Sequence, residues 1–227
     1  MEEFTDLWQK SFSIFGYHND FMVLNMKSLT MTWIVMGVLI LFSFFAKRKA
    51  SLIPRPIQVF AEFLVNFFYD LVVDTLDEKL AKKYFPLICS LFMFLFLCNW
   101  IGIIPMMAEP TRDLNTTLGM GLMGGIIAHY SGIRVNGIKG YLKEYFSPMW
   151  FMFPLNVIGE IAQVVSISFR LYGNILGGAI IIVVVSKLFL SLVVPLGLVA
   201  FFGMLVGTIQ AFVFTMLTLV YISLKVK

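Results

Sequence analysis

Asn156, Gln163, Ser166, Asn174 and Gly177 all fall within about 40° of Arg170 on a helical wheel. They form one narrow polar face, about five turns long, on an otherwise apolar segment. Between Tyr145 and Leu224 the only formally charged residues are Glu160, Arg170 and Lys187. An arginine at the centre of an apolar helix costs about 2.5–3.5 kcal/mol on insertion scales. Its pKa exceeds about 12, so it is a fixed positive charge and not a relay for hopping protons. Such a charge in a low-dielectric site favours an ionised carboxylate, lowering its pKa by about 1–3 units. Glu160 lies about 80° off the stripe and nearly three turns away, so the natural partner is a carboxylate of another subunit. For Ser166 or Asn174 taken alone, a structural polar seam between helices is the better reading.

Other chemistry is sparse. "GMGLMG", Gly119 to Gly124, matches G-x-G-x-x-G but sits inside an apolar span with no strand before it, so it reads as close helix packing. Gly121/Gly125, Gly173/Gly177 and Gly203/Gly207 carry the same small-xxx-small spacing. The sequence has no Walker loop, no H-E-x-x-H and no nucleophile elbow. His18 and His129 read as isolated, which argues against a metal site, and Cys89 and Cys98 read as small buried hydrophobes. No cofactor is implied, and the chain alone is expected not to be an enzyme.

The elements that must position Arg170 follow from composition. The 227 residues are 59% hydrophobic and 13% charged, with 24 phenylalanines. Soluble domains carry about 25% charge, so the fold class is an all-α membrane protein. The net charge of +4 does not indicate nucleic acid, because the basic residues lie in loops between apolar runs. The pattern predicts about five membrane helices plus an interfacial amphipathic helix in a single membrane domain, residues 1–227. An outer N-terminal segment (1–27) precedes a first span (28–46). An amphipathic helix (54–80) carries Gln58, Glu62, Asn66, Asp70 and Asp74 at every fourth position. Its acidic face suits a basic partner surface better than anionic lipid. A helical hairpin (84–131), with its second span from Tyr84 to Met107 and its return from Leu114 to about Ser131, comes next. A long hairpin (153–224) follows, whose two helices exceed the ~20 residues needed to cross and are therefore strongly tilted or near-horizontal.

Basic clusters set the orientation. "KRK", Lys47 to Lys49, the loop containing Arg134, Lys139 and Lys143, and the terminal "KVK" belong on the cytoplasmic side. The N-terminus is then outside and the C-terminus inside. Glu2, Glu3 and Asp6 do not resemble the start of a cleavable leader, so none is expected.

At the level of motifs, "PLNVIGEIAQVVSISFRLYGNILGG" (Pro154 to Gly178), "PTRDLNTTLGM" (Pro110 to Met120) and "IQAFVFTMLTLVYISL" (Ile209 to Leu224) resemble the a subunit (subunit 6) of the membrane Fo sector of F-type ATP synthases. "RPIQVFAEFLVNFF" and "CNWIGIIP" extend the resemblance over nearly the whole chain. It implies a stator in a bacterial plasma membrane, partnered by a c-ring, b subunits and the rest of the complex. Two offset half-channels would pass ions to and from the ring carboxylates. The resemblance makes Arg170 the counter-charge, with Asn174 and Gln210 its polar neighbours and Glu160 a cytoplasmic half-channel residue. An interfacial charge in contact with water is the other reading of Glu160. Gln163, Ser166 and Thr208 join the implied ion path. Capping of the loop is the stronger reading of Asp113 and Asn115, and flanking of the outer entrance the other. The titratable residues that related chains carry nine positions after the arginine and seven before the glutamine are replaced here by Ala179 and Gly203. Protons carried by a water path, or sodium ions, are both compatible with that change. Lys187 reads as a snorkelling outer charge. A self-contained secondary transporter and a non-conducting scaffold are the alternatives. The first lacks internal repeats and its own partner acid.

Overall fold

A computed structural model of the chain describes residues 26–48, 56–104, 107–145, 151, 153–188 and 197–226. The expected N-terminal segment up to residue 25, His18 and Lys49 lie outside them. Among the described residues the structure is helical, with no strand. Four helices are long and apolar enough to cross a membrane: Met26–Phe45, Glu78–Ile103, Phe153–Leu188 and Gly197–Val226.

Helix α1 spans Met26–Arg48. Its threonines satisfy themselves: the Thr30 and Thr32 hydroxyls donate to the carbonyls of Lys27 (3.0 Å) and Ser28 (2.7 Å). Helix α2, Pro56–Thr75, opens with a proline at its first position, where no amide partner is lost. Phe68 and Vals 72 of α2 are buried, and the Phe68 ring lies 4.5 Å from that of Phe92. Glu62, Asn66, Asp70 and Asp74 are exposed as the spacing predicts. The segregation is imperfect, because the exposed, stacked Phe63 and Phe67 rings share that side.

Asp77, in an extended conformation, ends this run and restarts the helix as α3, Glu78–Trp100. The second span therefore begins six residues before Tyr84, favoured by an acid in its first turn. Helix α4, Leu114–Tyr145, likewise passes through Ser131, where the sequence predicts an end. The Ser131 hydroxyl donates to the Ile127 carbonyl (2.6 Å), so a polar residue sits in the helix without interrupting it. The break falls at Gly137, whose φ of 71° suits glycine alone. Helix α4 is long, but its glycines replace apolar side chains with close contacts.

Helix α5 spans Phe153–Leu188, and α6 spans Gly207–Val226 after a π-helical stretch, Ala200–Val206. At 1.5 Å per residue, α5 is about 54 Å long against a hydrocarbon layer of about 30 Å, so it must tilt. Helix α6 is central, packed against α3, α4 and α5. Ala211, Phe214, Leu219 and Ile222 on it are fully buried. Small residues set the approach. A Cβ on Gly121 would lie 2.2 Å from the Ser168 hydroxyl, and one on Gly207 3.0 Å from the Asn99 side chain. Asn99 donates to the Gly207 carbonyl (2.8 Å) and accepts from the Thr111 hydroxyl (2.8 Å), tying α3 and the following loop to α6.

Candidate functional site

The face that α5 buries consists of Ile167, Ser168, Leu171, Ile175 and Gly178, spaced at helical intervals. The polar stripe lies on the other side. Gln163, Ser166, Arg170 and Asn174 are exposed, and Asn156 is half-buried. Arg170 forms no ion pair or hydrogen bond with the described residues. Glycines surround it: a Cβ on Gly159, Gly173 or Gly177 would meet nothing within 4 Å. The Gly173/Gly177 pair thus does not serve helix packing among the described residues, unlike Gly121/Gly125 and Gly203/Gly207. It leaves a low, polar surface around a cation.

Asn174 and Gln210 are brought together from α5 and α6. The Asn174 amide donates to Gln210 Oε1 at 2.6 Å. Gln210 is buried, and its Nε2 has no partner. Its direct bond is therefore to Asn174 and not to Arg170. Thr208 is engaged elsewhere, accepting from Trp100 Nε1 (2.9 Å) and donating to the Met204 carbonyl.

Two cavities flank Arg170 along α5. The first, roughly 410 Å³, is lined by Asn156, Glu160 and Gln163 together with His129, Tyr221 and Lys225. Glu160 pairs with Lys225, and its Oε2 lies 3.4 Å from His129 Nε2. His129 Nδ1 is 2.5 Å from the Tyr141 hydroxyl. His129, isolated in the sequence, is thus part of a charged cluster. Only the packing of α4 antiparallel to α5 and parallel to α6 creates it.

The second cavity, roughly 310 Å³, lies beyond Arg170 and is bounded by Asn174, Ala179, Gly203, Glu109, Arg112 and Lys27 among others. Arg170 lines neither cavity; Gln163 on one side of it and Asn174 on the other are the nearest stripe residues that do. Ala179 and Gly203 both line this cavity, and neither brings a titratable side chain to it. Glu109 is the residue that sequence reasoning missed. Burial pushes its carboxyl pKa up, and Arg112 pulls it partly back.

Asp113 Oδ1 accepts from the Asn115 amide at 3.0 Å, directly before α4, which makes it a helix cap. It also borders a recess with Lys27, Glu109 and Arg112. Lys187 is exposed in the last turn of α5, where a cation complements the helix dipole.

The family described as ATP synthase A chain matches residues 29–223. ATP synthase subunit a of Moorella thermoacetica is 40% identical over 195 residues, covering 85% of this chain and 87% of its own. ATP synthase subunit a of Priestia megaterium is 34% identical, covering 88% of this chain and 92% of its own. The chloroplastic ATP synthase subunit a of Stigeoclonium helveticum is 35% identical, covering 86% and 82%.

Proposed function

Because this chain belongs to the ATP synthase A chain family, and is an ion-translocating Fo subunit with no catalysis of its own, we propose that its two cavities are offset half-channels separated by Arg170. It is a multi-pass bacterial membrane protein that works within the ATP synthase complex. In the proposed mechanism a ring of c subunits turns against the exposed face of α5. Each ring carboxylate gives up its ion near Arg170, because the fixed positive charge stabilises the ionised form. The carboxylate reloads from the other cavity after rotation. Arg170 cannot itself pass a proton, so it also blocks direct flow between the cavities.

The observation that carries this reading is an arginine with no partner among the described residues on a glycine-rich face they leave open, with a cavity carrying charged side chains on either side of it along one helix. A structural seam would bury that stripe against the chain's own helices. The Asn174–Gln210 bond supports a shaped wall next to Arg170, held from the buried side by Gln210. Glu160, Gln163, Asn156 and Ser166 line or approach the path on the cytoplasmic side. Asp113 and Asn115 shape the loop at the outer mouth, while Thr208 holds α6 to Trp100 and so acts on the path indirectly. In the proposed orientation the N-terminus is outside and the C-terminus inside, and the exposed acidic side of α2 meets a basic surface of a partner subunit.

The test is ATP-driven acidification of vesicles holding the complete complex, with and without sodium and a protonophore. The expected result is a protonophore-sensitive pH gradient that sodium does not suppress. Sodium uptake that the protonophore leaves intact would overturn protons as the coupling ion.

A further inference from the structure

Glu109 sits in the loop between α3 and α4, half-buried, against the backbone of Gly102. A Cβ on Gly102 would lie 2.2 Å from Glu109 Oε1, so only glycine there allows the carboxylate its seat. That seat is in the wall of the cavity that runs on to Asn174. The other cavity-lining groups that carry charge are Lys27 from α1 and Arg112 from the turn before α4; Asp113 adjoins through the neighbouring recess. The walls supplied by α5 and the π-helical stretch, including Asn174, Ala179, Phe202 and Gly203, have no titratable side chain. Among the described residues that line this cavity, Glu109 is the only carboxylic acid, the group suited to exchanging a proton there.

We propose that Glu109 is the proton-exchanging residue of the outer half-channel, supplied from the α3–α4 loop in place of the side chains that positions 179 and 203 lack. The proposal rests on the half-channel reading above. Glu109 accepts a proton from the aqueous mouth to become neutral, then returns it to water in the cavity on the Asn174 side. No bond other than O–H is made or broken, and the carboxylate is regenerated. Burial keeps its pKa above the usual carboxylate value, while the charge of Arg112 pulls it partly back. Both forms are then accessible nearer to neutral pH, which is what a relay requires.

The complete ATP synthase in vesicles, driven by a fixed membrane potential, tests this while the pH of the outer-facing compartment is varied. Wild-type synthesis is expected to fall as outer pH rises through the Glu109 pKa, because the protonated fraction falls. Glu109→Gln should lower the rate on the order of tenfold and flatten that pH dependence, at unchanged content of this chain in the complex. Glu109→Asp should keep a pH dependence. Gly102→Ala, which moves the carboxylate without removing it, should mimic Glu109→Gln, and these two variants decide the matter if Glu109→Gln fails to assemble. A wild-type rate and pH profile in assembled Glu109→Gln would overturn the relay. An Arg170→Ala control separates the two levels: lost synthesis there with unaffected Glu109→Gln sinks only the relay, whereas retained synthesis sinks the half-channel reading and the relay with it.

Discussion

A single guanidinium distinguishes two outcomes that other residues confuse. Arg170 has no bond to the other described residues, so Arg170→Ala should leave the helices and the assembly largely intact. Coupled transport should nevertheless be abolished, because the arriving carboxylate loses its counter-charge. ATP-driven pumping by the purified Arg170→Ala complex is the measurement, and pumping at wild-type level would sink the mechanism. Arg170→Lys should fail as well, since a lysine deprotonates when desolvated and lacks the planar fork. This part of the site was legible in the sequence because it lies on one helix, where a wheel suffices. Glu109 and the His129–Glu160–Lys225 cluster were not. Their partners come from other elements, and no spacing within one helix encodes which helices meet.

Between elements, glycines decide distance, and two of them make opposite predictions. Gly121 lies where a Cβ would strike the Ser168 hydroxyl at 2.2 Å and approach the Val164 carbonyl at 3.2 Å. Gly121→Leu should force α4 from α5 and cost about 1–3 kcal/mol, read as a lower unfolding temperature of the purified complex. Gly173 faces open space. Gly173→Leu should leave stability unchanged yet impair coupling, by blocking approach to the Arg170 face. Equal loss of stability in both would mean that the open face is packed by this chain. Asn99→Ala removes the bonds to Gly207 and Thr111 and should cost about 1 kcal/mol, measured in the same melt. The sequence marked the small-residue spacings without saying which face another helix. Helix ends were harder still: α4 outran Ser131 because a serine bonded to its own helix leaves no signal, and the positive φ of Gly137 then kinks the helix before it runs on to Tyr145.

For the whole molecule, the requirement is that no continuous path crosses the membrane. Each elementary charge moving down 100 mV releases about 2.3 kcal/mol, and a straight channel would dissipate it without turning anything. A helix of about 54 Å, tilted through the layer, can carry two cavities at different heights with an arginine between them. Composition and length already implied that tilt; the cavities needed α4, the loop at Glu109 and α6 to close their walls. Their openings can be told apart chemically. In a background with Cys89 and Cys98 replaced by alanine, Asn156→Cys should react with a membrane-impermeant thiol reagent added from the cytoplasmic side. Ala179→Cys should react from the outer side, and Ile167→Cys, on the packed face of α5, from neither. Labelling of Asn156→Cys and Ala179→Cys from one and the same side would join the cavities into one vestibule. Rotation would then have no reason to be the route between them.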